Sequence, residues 1–381
     1  MVFDVAIAGA GPAGAAAAIA AAHAGARVLL LDRYDFPRDK ACGDGIAPHA
    51  IDVVRELGIT GVLDGYPEIN VLHLESPNGT QAKRPMRRPA HVIPRTVFDA
   101  RLVSAAIEAG AEFRRHVVRQ IRRDGDHVEV DGIRARTLIG ADGANSVVRK
   151  FLGVKQNPPG HIAIAIRGYA AQPAAAELSQ RLVLAKRHWP AYAWSFPIGD
   201  GRRNVGYGEL IQGEPTSRAH LLDRLTTLLP GLGEIDGLRA HLLPLSTWRP
   251  RPGRGQILLA GDALSLINPF TGEGIYYALV SGAFAGEAAA MAGPLAAHYY
   301  SRRLRAQLAR HLRHTTLTAK LAAAPWIADA GIRAAADDQA VFDTFVELGL
   351  GNGLLSGRLL AGVTRRAMGV PFGTWSTPKA S

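Results

Sequence analysis

One cysteine, Cys42, stands among 381 residues. An intrachain disulfide is therefore impossible, and a cysteine-built metal cage is argued against. The thirteen histidines form no HExxH, and His311 with His314 falls in an Arg-rich helix, read as a solvated face and not as a ligand pair, so no metal is expected. No uninterrupted run of roughly 18 strongly apolar residues offers a membrane span. The 42 glycines and 23 prolines keep no triplet period, and a hydrophobic content of 48% is too high for a disordered chain. The Ala-rich start has no basic leader and is broken by Asp4 and three glycines, so it is not read as a signal peptide, and a cytoplasmic protein is expected. Acid is missing from a long stretch between Glu287 and Asp329.

What is present is a globular chain of two or three structural units. It carries 44 basic against 33 acidic residues, a net +11, which favours anionic partners such as phosphates, nucleic acid or an acidic lipid surface. Residues 2–8 read as a buried strand, 12–24 as an Ala-rich helix and 27–31 as a second strand, together a βαβ unit. A helix is expected at 47–57, and short alternating runs at 69–93 carry a hairpin signal at Pro77-Asn78-Gly79. A further helix is expected at 96–109, and strands at 112–119 and 126–140. Between 160 and 250 the chain reads mainly as sheet, with strands at 161–169, 181–186, 192–197, 203–210 and 238–247. A strand at 256–260 and a helix from about 274 return to the nucleotide-binding style, and 294–381 reads as mostly helical.

Gly9-Ala10-Gly11-Pro12-Ala13-Gly14 matches GxGxxG with the required strand before it and helix after it. The glycines permit a tight turn, close approach of backbone N–H groups to a pyrophosphate, and close packing of helix on strand. The helix N-terminus adds partial positive charge. Asp32, 18 residues beyond Gly14, is placed to accept hydrogen bonds from a ribose. The motif does not separate FAD from NAD.

Two later segments bear on that choice: Gly140-Ala141-Asp142-Gly143-Ala144-Asn145-Ser146, and Gly261-Asp262-Ala263 continuing to Asn268-Pro269-Phe270-Thr271-Gly272-Glu273-Gly274-Ile275. Alone, either could be an ordinary Asp-Gly turn. Together, in this order, they resemble the flavoprotein hydroxylase and reductase superfamily. That resemblance implies FAD, with Asp262 on the ribityl chain, the 269–275 turn presenting backbone N–H groups to the isoalloxazine, and Asp142 and Gly143 near the pyrophosphate. It also implies an α/β (α+β) fold: a Rossmann-like FAD-binding domain over 1–153 and 251–293 with a β insertion near 65–95, a β-sheet substrate domain over 154–250, and a helical C-terminal region over 294–381.

A narrower family is marked by Phe36-Pro37-Arg38-Asp39-Lys40-Ala41-Cys42-Gly43-Asp44-Gly45, which looks like the PxxKxCG signature of the geranylgeranyl reductase family. Pro190-Ala191-Tyr192-Ala193-Trp194-Ser195-Phe196-Pro197 looks like its YxWxFP signature, and Arg95-Thr96-Val97-Phe98-Asp99 resembles its flavin-contacting segment. Asp44 stands where some members have Gly. The resemblance implies cofactor contacts from Arg33, Ala41, Cys42, Gly43, Gly45, Arg95 and Val118 as well, and reduction of isolated double bonds in polyprenyl chains of lipids or quinones. Such an alkene needs acid assistance, and Cys42 is expected to supply or position the proton, against the plainer reading of a small buried hydrophobe. Tyr192, Trp194 and Phe196 share one face of an alternating strand and, with Pro197, are expected to wall the substrate, against the plainer reading of a core-packed sheet face.

The rival expectation is a flavin monooxygenase or halogenase-like enzyme acting on an aromatic or polyketide small molecule, although the Tyr-x-Trp-x-Phe-Pro segment differs from the halogenase-type Trp-x-Trp-x-Ile-Pro. The Gly349-Leu350-Gly351-Asn352-Gly353 cluster follows no strand and reads as a helix break. No separate NAD(P)H domain is seen, so the electron donor is expected to be visiting NAD(P)H or a protein carrier. At about 100° per residue, Arg302, Arg313 and Lys320 fall within roughly 20° of one another, with Leu304 and Leu308 opposite. The ordinary reading is a solvated face over a core face; with a lipid-like substrate it becomes peripheral contact with an anionic membrane at its inner face. No nucleic-acid motif accompanies the charge.

Overall fold

The structure is a computed structural model that describes residues 2–173, 176–186, 191–213 and 216–368. Pro190 of the aromatic segment and residues 369–381 of the helical region lie outside the described residues.

Strand Val2–Ala8 is central to the first sheet, with Val28–Asp32 parallel on one side and Ile133–Gly140 parallel on the other. Glu112–Arg115 extends the first side and Ile257–Leu259 the second. Ile7 lies level with both Leu30 and Ile139, so the sheet centre is a continuous apolar run, as expected where helices cover both faces. Two helices that are apolar all round, Pro12–His23 and Ile275–Ala292, pack against each other. The Ile275–Ala322 stretch is long and apolar enough to cross a bilayer by composition, but most of its apolar window is buried inside the protein, which makes it a core element.

The second sheet has eight strands in the order Asp236–Pro244, Ile162–Ala171, Arg202–Leu210, Tyr192–Pro197, Ser179–Leu184, Ile69–Glu75, Gln81–Val92 and Gly45–Ile46. The 69–92 hairpin therefore hydrogen-bonds into this sheet, through the parallel pairing of Leu72 with Gln180 and Leu74 with Leu182. Helix Arg218–Leu228, in a stretch that reads as sheet from the sequence, covers the outer face with Leu221 and Leu225 fully buried. The expected strand at 126–140 is two strands, His127–Val130 and Ile133–Gly140, broken at Asp131 and Gly132, both with positive φ. Helices Pro325–Asp337, Gln339–Leu350 and Gly357–Ala367 pack Phe342, Leu348 and Leu359 against Leu72 and Met86 on the inner face. The Gly349–Gly353 cluster ends a helix, as its sequence suggests. His311, by contrast, is not on a solvated face: it is buried and hydrogen-bonds the Tyr277 hydroxyl and the Gly353 carbonyl, each at 2.6 Å.

Candidate active site

The glycine loop shows why these residue types stand there. A Cβ on Gly9 would meet the backbone of Ala141 and Asp142, and one on Gly14 would fall on the Gly9 carbonyl, so strand, turn and helix close up only with glycine. At Gly11 the space ahead is open, bounded by Arg38 Nη2 at 3.5 Å from where a Cβ would be. Gly11 is the N-cap of the Pro12–His23 helix and gives it no side-chain hydrogen bond, so the first-turn N–H groups, with Pro12 and Ala13 beside them, face that opening with partial positive charge. A guanidinium and an uncapped helix end over an open cradle fit the pyrophosphate of a dinucleotide. Asp32 accepts the Ala10 N–H at 2.8 Å and the Tyr34 N–H at 3.0 Å, which fixes its carboxylate at the strand end. Arg33 is exposed over the Tyr34 ring, and Val118 is half-buried just beyond strand Glu112–Arg115, away from the cavity described below.

Asp142 behaves as a cap. Its Oδ2 accepts the Val147 N–H at 2.6 Å and the Val148 N–H at 3.3 Å, next to the positive-φ turn at Gly143, while its buried Oδ1 has no partner. Asp262 faces the cavity and pairs with Lys40 at 3.2 Å. Burial opposes its ionisation, but Lys40 and His241 together hold the carboxyl well below the usual carboxylate range. Gly261 brings this turn against Ala13, so the first and third motifs meet. The following turn lines the cavity with Pro269, Gly272, Glu273, Gly274 and Ile275. Burial pushes the Glu273 carboxyl up to about 7, although the Tyr276 and Ile275 N–H groups and Arg95 pull the other way.

Pro12, Lys40, Asp262 and the 269–275 turn border a cavity of about 730 Å³, together with Ala41, Cys42, Gly43, Gly45 and Arg95, whereas Gly9, Gly11, Gly14, Asp32, Asp142 and Gly143 do not line it. Arg95 is buried and grips Asp99 through two bonds of 2.6 and 2.7 Å, with Arg38 on the same carboxylate at 3.1 Å. The Cys42 surface left open faces the cavity. Enclosure by protein raises its thiol pKa, against the lowering effect of Arg95, so the thiol is protonated at neutral pH. Tyr192, Trp194 and Phe196 form the facing wall, with successive ring centroids 6.0 and 6.5 Å apart. A Cβ on Gly43 would stand 3.3 Å from the Phe196 ring, so the cysteine turn presses directly on this wall. The Tyr192 hydroxyl donates to the Thr271 carbonyl, tying the wall to the 269–275 turn. Pro197 is a correction: it borders a separate small pocket with Ser195 and Arg203 and not the main cavity, because alternation along the strand puts it on the face opposite Tyr192, Trp194 and Phe196.

Three features escape the sequence reading. Asn204 receives the Trp194 indole N–H at 2.8 Å and donates to the Cys42 carbonyl at 2.8 Å and to Asp44 at 2.7 Å. Tyr169 donates to the same Asp44 oxygen at 2.7 Å. The far half of the cavity is built by the C-terminal helices, from Leu321 and Trp326 to Phe345, Leu355, Leu360 and Met368. The Asn204 and Tyr169 links to Cys42 and Asp44 join residues more than 100 positions apart and leave no local trace; the apolar spacing of the tail helices was the signal available for the third.

An FAD binding domain family matches residues 2–292. The chain is 35% identical over 309 residues to a menaquinone reductase of Mycolicibacterium smegmatis, covering 74% of this chain and 75% of that protein. It is 36% identical over 321 residues to digeranylgeranylglycerophospholipid reductase 1 of Methanopyrus kandleri, covering 76% and 80%. Among solved structures, a geranylgeranyl bacteriochlorophyll reductase-like protein from Thermoplasma acidophilum superposes with a TM-score of 0.82 at 21% identity over 96% of both chains. A flavin-dependent brominase superposes at 0.66 with 21% identity over 87% of this chain and 93% of that one, a likeness of fold. The glycine cradle, the PxxKxCG and YxWxFP segments meeting at one cavity, and these relatives make the chain an FAD-dependent oxidoreductase of the geranylgeranyl reductase family.

Proposed function

We propose that the protein saturates isolated C=C bonds in the polyprenyl chain of a lipid or quinone. The observation that carries this reading is the cavity, which continues from Cys42 and the 269–275 turn between Leu72, Leu74, Leu182 and Leu184 to the C-terminal helices. Its volume of about 730 Å³ is that of a site for a sizeable ligand, and its apolar side chains suit a chain without polar groups. In this reading residues 1–153, apart from the 69–92 hairpin, and 251–293 hold the cofactor, while the 154–250 strands, that hairpin and the C-terminal helices hold the prenyl chain.

When bound, FAD supplies the electron pair that the alkene receives. The protein's part is to hold the double bond still, keep water out and provide the proton. Cys42 Sγ holds a proton at neutral pH and faces the cavity. The faces of Tyr192 and Trp194 stabilise positive charge on the carbon that becomes tertiary and cationic, by about 0.5–2 kcal/mol per contact. The test is anaerobic turnover with reduced protein and a prenyl substrate, followed by mass spectrometry. A product heavier by two hydrogens per bond is expected. Substrate-stimulated oxygen uptake with a hydroxylated or halogenated product would overturn the reading.

We further propose that the electron donor is NAD(P)H or a protein carrier, and that the cytoplasmic protein makes peripheral contact with anionic lipid. Support comes from the cavity mouth, where Leu321 (40% exposed), Trp326 (60%), Leu360 (48%) and Met368 (66%) are cavity-lining and exposed at once. On helix Ala296–Ala322, Arg313, Leu317 and Lys320 share the exposed face that leads to this mouth, while Leu304 and Leu308 are buried. An aromatic residue among aliphatic ones with flanking cations suits a membrane interface. Flotation with acidic liposomes should show salt-sensitive binding that weakens about fivefold for each of Arg313→Glu and Lys320→Glu; binding that is absent, or indifferent to salt, counts against it.

A further inference from the structure

Behind the cysteine lies a carboxyl group that neither the cofactor cradle nor the apolar tunnel requires. Asp44 is fully buried and holds a φ of +59°, a left-handed conformation that favours glycine and that, among other residues, Asp and Asn adopt most readily. Its Oδ2 accepts the Tyr169 hydroxyl and Asn204 Nδ2, each at 2.7 Å, while its Oδ1 is buried without a partner. Asn204 Nδ2 also holds the Cys42 carbonyl, and its Oδ1 holds the Trp194 indole. One carboxylate thus anchors both the cysteine turn and the wall facing it. Arg95 acts on the same sulfur, and its charge favours the thiolate; a charge on Asp44 favours the thiol.

We propose that Asp44 is a positioning residue for Cys42: its carboxylate offsets the Arg95 guanidinium and so adds to the burial that keeps the proton on sulfur, and its bond to Asn204 pins the Cys42 carbonyl behind the aromatic wall. The inference rests on the reading of Cys42 as the proton holder. The charged and titratable groups around Asp44 are Tyr169, Arg167, Arg95 and Cys42; Arg167 is itself paired with Asp39, which also binds Arg239, and Arg95 with Asp99. Burial raises the Asp44 carboxyl to about 6, against Tyr169, Arg167, Asn204 and Arg95, so its charge changes within an accessible pH range while the thiol titrates higher. The two sites then titrate as a coupled pair.

Because Cys42 is the sole cysteine, its thiol can be followed in the flavin-loaded protein without ambiguity. The rate of iodoacetamide modification is measured against pH, with the S–H infrared band as a second readout that needs no reagent access and Cys42→Ala as the blank. In the unmodified chain the rate should rise with pH but flatten near pH 6, where Asp44 ionises and holds the proton on sulfur more tightly. Asp44→Asn should abolish the flattening and lower the thiol titration by about one pH unit. Tyr169→Phe removes a donor to the carboxylate and should move the flattening to higher pH, an arm that stands even where Asp44→Asn loses flavin. A thiol that titrates identically in Asp44→Asn, or a flattening unmoved in Tyr169→Phe, overturns the inference. Full turnover by Cys42→Ala would instead remove the catalytic reading of the cysteine, which these titrations do not measure.

Discussion

In the proposed reading Gly9, Gly11 and Gly14, beside the Pro12 end of the cavity, offer backbone and a helix terminus to the cofactor, while Leu74, Leu184, Trp326 and Leu360 offer side chains to the substrate. The first end tolerates no added atom, because the positions a Cβ would occupy at Gly9 and Gly14 are taken by main chain. The second is assembled from strands of the second sheet and from the C-terminal helices, whose side chains can re-pack. A site built from backbone is held fixed by the fold, whereas a site built from side chains can change its ligand without changing the fold.

The sharpest way to break the comparison is at Gly14. Gly14→Val drives a branched side chain into the Gly9 carbonyl, where no rotamer relieves the clash, and overpacking of this kind costs about 1–3 kcal/mol or more. Protein that purifies colourless, with a lowered melting temperature, is the expected outcome; a yellow, fully loaded variant would show that the cradle is not backbone-limited. Next is Cys42→Ala, which removes a thiol from the boundary between the two ends. Loss of a positioned proton donor should lower turnover by about 10²–10⁴-fold. Flavin content should be unchanged, so rate and cofactor loading separate in a single preparation.

That boundary also divides what the sequence reveals from what it hides. Gly9 to Gly14, the Asp262 turn and the 40–45 segment are legible because backbone constraints act over a few residues and leave fixed spacings. The Tyr192, Trp194 and Phe196 face is legible from strand alternation alone. Asn204 is not, since its value lies in touching Trp194, Cys42 and Asp44 at once, and only the folded sheet creates that meeting. Pro197 shows the opposite error: the motif carries it along, but strand alternation places it on the face away from the cavity, with Ser195. Helix Arg218–Leu228 had its signal in the Ser217 cap and the Leu221, Leu225 spacing, outweighed by the strands on either side.

At the side-chain end Trp194→Ala should weaken the fold while sparing the cradle. It removes an indole that is 6% exposed and strips Asn204 Oδ1 of its donor, for a loss of about 3–5 kcal/mol in denaturant unfolding. Trp194→Phe keeps most of the volume and loses only the N–H, so its smaller cost measures the hydrogen bond. Equal losses in the two variants would mean that packing contributes little to this wall.

The smallest effect tests the join between the ends. Burial raises the Glu273 carboxyl from 4.5 to about 7, so between those values the folded protein holds a proton that the unfolded chain has released. Stability from this group is therefore complete below pH 4.5 and lost as pH rises through 7, the reverse of a salt-bridged carboxylate. Glu273→Gln cannot titrate, and the melting-temperature difference between the unmodified chain and the variant should fall by about a few degrees across that window. Asp44, raised to about 6, adds a slope of the same sign to both proteins, so it cancels in the difference. Parallel melting curves would place the Glu273 carboxylate in contact with water or with a cation, and the 269–275 turn would then be a polar rim of the cradle instead of the start of the apolar tunnel.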